Sequence, residues 1–152
     1  MRVAADVLVA SGSTQVAPVS VREGDWEPLA YAVERVDAAA LAPLVRDELD
    51  LLDGGRLAVV VPRADRQGAG PGEELARELT ALLRDTRVGW GADALDETVA
   101  VLDVQDVKGL EFDAVILCEP ADVVERGVGG WGDLYVALTR PTQRLRVVHA
   151  RP

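Results

Sequence analysis

Apolar positions along this chain alternate between two patterns. Residues 57–61 and 114–117 are wholly apolar, and residues 99–104 nearly so. Short β-branched runs of this kind suit strands buried on both faces, as in a parallel sheet. Residues 145–149 predict a last strand, and 19–22 and 28–36 read as extended, with Leu29, Tyr31 and Val33 at strand period. Helical period fills the intervals. Asp37 is placed to cap an Ala/Leu-rich helix ending near Leu52, stopped by Asp53-Gly54-Gly55. Pro43, past its first turn, predicts a kink or a later start. Residues 73–85 predict an amphipathic helix with Leu75, Leu79, Leu82 and Leu83 on one side, and 134–140 a shorter helix ended by Pro141. Turns or loops are expected at 22–25, 63–72 and 127–132, the last Gly-rich around Trp131. The alternation predicts an α/β fold, a parallel sheet with helices on both faces. In such sheets functional loops gather at the carboxyl ends of the strands.

Composition narrows this. A length of 152 residues fits one domain. No apolar run approaches the roughly eighteen residues of a membrane span, and the start of the chain, with Asp6 in its weak apolar run, does not read as a signal peptide. Cys118 is the single cysteine and lies in the apolar run 114–118, so a buried thiol and a reducing, cytoplasmic setting are expected. One Cys and one His, His149, leave little for a Cys/His zinc site. The net charge of −10 argues against a free-standing nucleic-acid binder. Of the sixteen basic residues only Lys108 is a lysine.

A P-loop requires Gly-Lys followed by Ser or Thr, and the chain has none: Lys108 follows Val107, and Ser11-Gly12-Ser13-Thr14 lacks a lysine. Gly68-Ala69-Gly70-Pro71-Gly72 has the wrong spacing for a dinucleotide loop, and Glu73 and Glu74 would meet the pyrophosphate with negative charge. The strand running 114–118 into Glu119 resembles a magnesium-holding strand, but reads equally as core with a polar exit. The sharper signal is a pair of strings. Val107-Lys108-Gly109-Leu110-Glu111-Phe112-Asp113 leads into one strand, and Leu134-Tyr135-Val136-Ala137-Leu138-Thr139-Arg140 leads into another.

Together these resemble motifs V and VI of superfamily 1 helicases, the UvrD/Rep/PcrA group, over about a third of the chain. Only a hundred residues precede Val101, which leaves no room for the accessory domain of UvrD-like proteins. That, the string from Lys108 to Asp113 and the run from Leu134 through Pro141 to Leu145 look like HelD-type proteins, helicase-like ATPases that release bacterial RNA polymerase. The resemblance implies a second RecA-like (2A) domain spanning 1–152, of P-loop-NTPase type but lacking the P-loop. It also implies a C-terminal fragment, with motif IV lying upstream of Met1, that does not turn over ATP by itself. ATP would sit between this domain and an N-terminal RecA-like domain that holds the P-loop and Mg²⁺. Arg140 matches the motif VI arginine that reaches the γ-phosphate. Glu111 matches the glutamate that bonds the ribose, and Lys108 and Gly109 complete the nucleotide-facing string. RNA polymerase is an implied partner.

Each residue has a plainer reading. Arg140 could complement a helix C-terminus, Lys108 could form a structural salt bridge, and Thr139 and Tyr135 could serve packing or capping. Gln143 and Arg144 match the string without an assignable chemistry. Where UvrD-like motif V carries Thr and His that grip DNA, this chain has Asp103 and Gln105, and an aspartate repels phosphate. Weak single-strand binding is therefore expected, and an ATP-dependent switch on a protein complex fits better than a DNA-walking engine. A non-catalytic docking module and an unrelated α/β domain are the alternatives.

Overall fold

The computed structural model describes residues 29–63, 71–126 and 129–150. The sequence expectations for 19–22, 22–25 and the glycines at 68 and 70 lie outside them. The elements in chain order are β1 (Leu29–Ala32), α1 (Ala38–Leu52), β2 (Leu57–Val61), α2 (Pro71–Leu82), β3 (Val88–Trp90), a 3-10 turn (Ala92–Ala94), β4 (Val99–Asp103), β5 (Phe112–Cys118), α3 (Pro120–Arg126), α4 (Trp131–Leu138) and β6 (Pro141–His149).

The six strands form one sheet in the order β1-β6-β5-β2-β4-β3, and every pairing is parallel. All carboxyl ends therefore share one edge of the sheet and all amino ends the other. Residues alternate between the faces, so the continuous apolar strands supply two cores. Leu57, Val59, Val61, Val99, Val101, Ile116 and Cys118 pack under α1 and α2. Ala58, Val60, Ala100, Leu102, Val115, Leu117 and Leu145 pack under α3, α4 and the segment following β4.

Helix α1 starts where its cap dictates. Asp37 is extended and its carboxylate accepts the amide of Ala40 at 3.0 Å, a bond that holds its pKa below the ordinary 3.8. The helix begins at Ala38 in spite of Pro43, which it carries internally. It ends at Asp53, which itself takes the left-handed conformation (φ 47°) ahead of Gly54. Leu79 in α2 and Leu83 just after it are buried, whereas Leu82 is exposed. The side expected to carry Leu82 is thus narrower, and the carbonyl of that residue accepts Arg46 of α1 at 2.8 Å.

A buried charge cluster ties α1 to the sheet. Glu48, fully buried, accepts Arg144 Nε at 2.7 Å on one carboxylate oxygen and Arg146 Nε on the other. The Arg146 guanidinium also lies over the Tyr31 ring of β1, 5.3 Å from its centroid. Arg144 thus has a structural partner, and so does Gln143, which donates to Asp113 at 3.2 Å.

Candidate functional site

The connection from β4 to β5 positions the motif residues. Consecutive parallel strands require a crossover, and residues 104–111 make this one as turns rather than as a regular helix. Val104 and Val107 anchor it in the core below α4. Asp103 starts it: its carboxylate accepts the amides of Gln105 at 2.7 Å and Asp106 at 3.1 Å. Asp103 is thereby engaged in folding the turn. The pKa of Asp106 is raised above the usual 3.8, first by its own partial burial and then by the neighbouring Asp103 charge.

The turn reaches the amino edge of the sheet, where Phe112 pairs in register with Pro141. Glu111 and Arg140 immediately precede these two residues, so the topology brings their backbones to the same edge of the sheet. The Phe112 amide donates to the Arg140 carbonyl at 3.2 Å. The guanidinium donates to the carbonyls of Val136 (3.1 Å) and Leu110 (3.3 Å) and to the Thr139 hydroxyl (3.2 Å). Among the described residues no carboxylate neutralises it. Glu111 is exposed. Gly109, at φ 77°, adopts a backbone that L side chains rarely take, and a Cβ there would point into open space. Pro141 opens β6, where its missing amide costs least, and α4 stops at Leu138 with Thr139 capping.

Lys108 is turned toward α4. Its Nζ lies 3.4 Å from the carboxylate of Asp133, and about half of its side chain stays in water (49%). The salt-bridge reading of Lys108 is thus realised. Asp133 is buried and also accepts Gln105 Nε2 at 2.9 Å and the Gly129 amide at 3.0 Å. Sequence reasoning missed Asp133. The available signal was a carboxylate one position before an apolar helical face, next to glycines that leave it room.

The carboxyl edge, where functional loops were expected, holds something else. An open crevice of about 400 Å³ lies between the ends of β2 and β5, at the point where their connections leave for opposite faces. Asp37, Glu74, Glu78 and Glu119 line it with Arg35, and Cys118 is at its wall. This excess of carboxylates repels a polyphosphate. The Cys118 thiol is buried, and burial, with the neighbouring Glu119 charge, pushes its pKa from 9.0 up to about 12, so it is no nucleophile at neutral pH. Among the described residues no cluster of His, Cys, Asp and Glu is arranged to hold a metal ion, and no helix is long and apolar enough to cross a membrane.

The arrangement is similar to solved helicase domains. The C-terminal domain of a possible DNA helicase from Lactobacillus plantarum superposes with a TM-score of 0.61 at 24% identity, over 86% of this chain and 77% of that one. The helicase domain of Hef from Pyrococcus furiosus gives a TM-score of 0.51 at 14% identity, over 75% of this chain and 26% of that one. No family model and no curated protein matches the chain. At these identities the likeness is one of fold. This chain has the α/β architecture of RecA-like helicase domains, a parallel six-stranded sheet with helices on both faces.

Proposed function

We propose that this chain is the second RecA-like domain of a superfamily 1 helicase-like ATPase, supplying Arg140 and Glu111 to an ATP site that another RecA-like domain completes. The observation that carries this reading is the meeting of the two motifs at the amino edge. There the backbone at the start of β5 bonds the Arg140 carbonyl, Glu111 is exposed, and the Arg140 guanidinium is held only by neutral acceptors. Such a guanidinium gives up little when it exchanges carbonyls for phosphate oxygens, and its planar fork suits them. ATP, with Mg²⁺ held by the partner domain, brings the phosphoanhydride to be cleaved. Arg140 neutralises charge building on the transferring phosphoryl group. Glu111 accepts a ribose hydroxyl, and the turn at Gly109 lets backbone approach the nucleotide.

The finer part of the proposal is action on RNA polymerase in the manner of HelD-type proteins. The use of Asp103 within its own turn supports it over DNA tracking. A non-catalytic docking module is the second reading, favoured by one observation: all three guanidinium nitrogens of Arg140 already have partners within the domain. ATP turnover by the purified chain alone, compared with the complete two-domain protein, tests the half-site. The chain alone is expected to show none, and turnover that survives re-purification contradicts the proposal.

A further inference from the structure

Helix α4 and the 104–111 turn share one face of the sheet, and both run from its carboxyl edge to its amino edge. They are fastened at both ends. At the amino end Arg140 donates to the Leu110 carbonyl at 3.3 Å. At the carboxyl end Asp133, in the first turn of α4, gathers Gln105 at 2.9 Å and Lys108 at 3.4 Å, both from the turn, and the Gly129 amide at 3.0 Å. Its side chain is 3% exposed, and a carboxylate so far from water needs such donors. The start of α4 adds the favourable end of a helix dipole. A side chain at position 129 would collide with this carboxylate, so Gly129 leaves the space it occupies.

The two fastenings differ in what the proposed chemistry demands of them. Arg140 must leave the Leu110 carbonyl to reach a phosphate, which opens the amino end. Asp133 shares none of the partners of the Arg140 side chain. We infer that Asp133 is a positioning residue: it holds the turn against α4 so that Glu111 stays in place when Arg140 moves, and Lys108 serves as its tether rather than as a nucleotide contact. The catalytic meaning rests on the half-site reading above; the tether rests on geometry alone.

Two arms test it separately. Lys108 is the only lysine, so a chain made with isotope-labelled lysine gives one side-chain NMR signal. Asp133→Asn is expected to move that signal to the position of a solvated lysine. It should also speed exchange of the Gly129 and Leu110 amides about tenfold or more, leaving the β2 and β5 amides unchanged. A Lys108 signal and turn amides that do not respond overturn the tether. Should Asp133→Asn fail to fold, Gln105→Ala is the milder cut and is read on the same signals. In the complete ATPase, Asp133→Asn and Lys108→Met are each expected to lower kcat about tenfold with KM for ATP within about twofold, and the double variant to fall no further. A raised KM in Lys108→Met, with Asp133→Asn near wild type, overturns the inference by making Lys108 a nucleotide contact. A wild-type protein without turnover sinks the half-site reading, while the labelled-lysine arm still decides the tether.

Discussion

Replacing Glu48 by alanine removes the carboxylate that two arginines share. Its two arms are not equivalent. The Arg144 side chain is 30% exposed and can recover water when its partner goes, so its arm resembles a surface pair, worth about 0–1 kcal/mol. The Arg146 side chain is 7% exposed and cannot. Leaving a buried charge unpaired costs about 3–5 kcal/mol, and the Tyr31 ring beneath the guanidinium offsets part of that. The expected loss is therefore about 3–4 kcal/mol, a large share of the roughly 5–15 kcal/mol that holds a domain folded. Urea unfolding at neutral pH measures it, as a lower midpoint at constant slope. A double variant, Glu48→Leu with Arg146→Met, fills similar volume without charge and should regain most of the loss. A loss below about 1 kcal/mol in Glu48→Ala would refute a closed, buried triad. A double variant as unstable as the single would assign the cost to packing.

The Cys118 thiol keeps its proton in the folded chain up to about pH 12, but loses it above about 9.0 once unfolded. Across that window the unfolded chain binds fewer protons, so stability falls as pH rises, by up to about 1.4 kcal/mol per pH unit. Cys118→Ala should flatten the alkaline limb of a stability-against-pH curve, and parallel curves for the two proteins would contradict the buried thiol. Gly109→Ala meets no neighbouring atom but forces φ 77° on an L residue. A loss of about 1 kcal/mol is expected in urea unfolding, and an unchanged midpoint would refute the strained turn.

Where one physical signal dominated, the sequence was readable. Strand β2 spans the expected residues because a short, β-branched apolar run flanked by glycines and a proline suits a strand covered on both faces. Asp37 caps α1 because its carboxylate satisfies an otherwise orphaned amide. The misses have specific causes. Strand β3 is a half-buried edge strand of three residues with a glycine at its centre, too short for a period to register. Leu82 falls off the buried side of α2 because a helix buries one stripe, here Ala76 and Leu79 with Leu75 partly covered. Glu48 drew no attention in the sequence, although its spacing from Leu41 and Val45 puts it on the buried stripe of α1. Its partners lie almost a hundred residues away on β6, beyond any local pattern. The motif strings located Glu111 and Arg140, but only the register of β5 with β6 shows that the two strings end together, at the amino edge rather than the carboxyl edge.

Arg140 separates the account from its plainest competitor. As a cation complementing the end of α4 it would be worth about 0.3–1 kcal/mol of stability and nothing in turnover. As the residue that meets the γ-phosphate it is worth about 10³–10⁵ in rate. The decisive measurement is steady-state ATP turnover of the complete protein carrying Arg140→Ala, with unfolding followed in parallel. The account predicts a folded variant whose turnover falls about a thousandfold or more; a folded variant that turns over ATP within about threefold of wild type contradicts it.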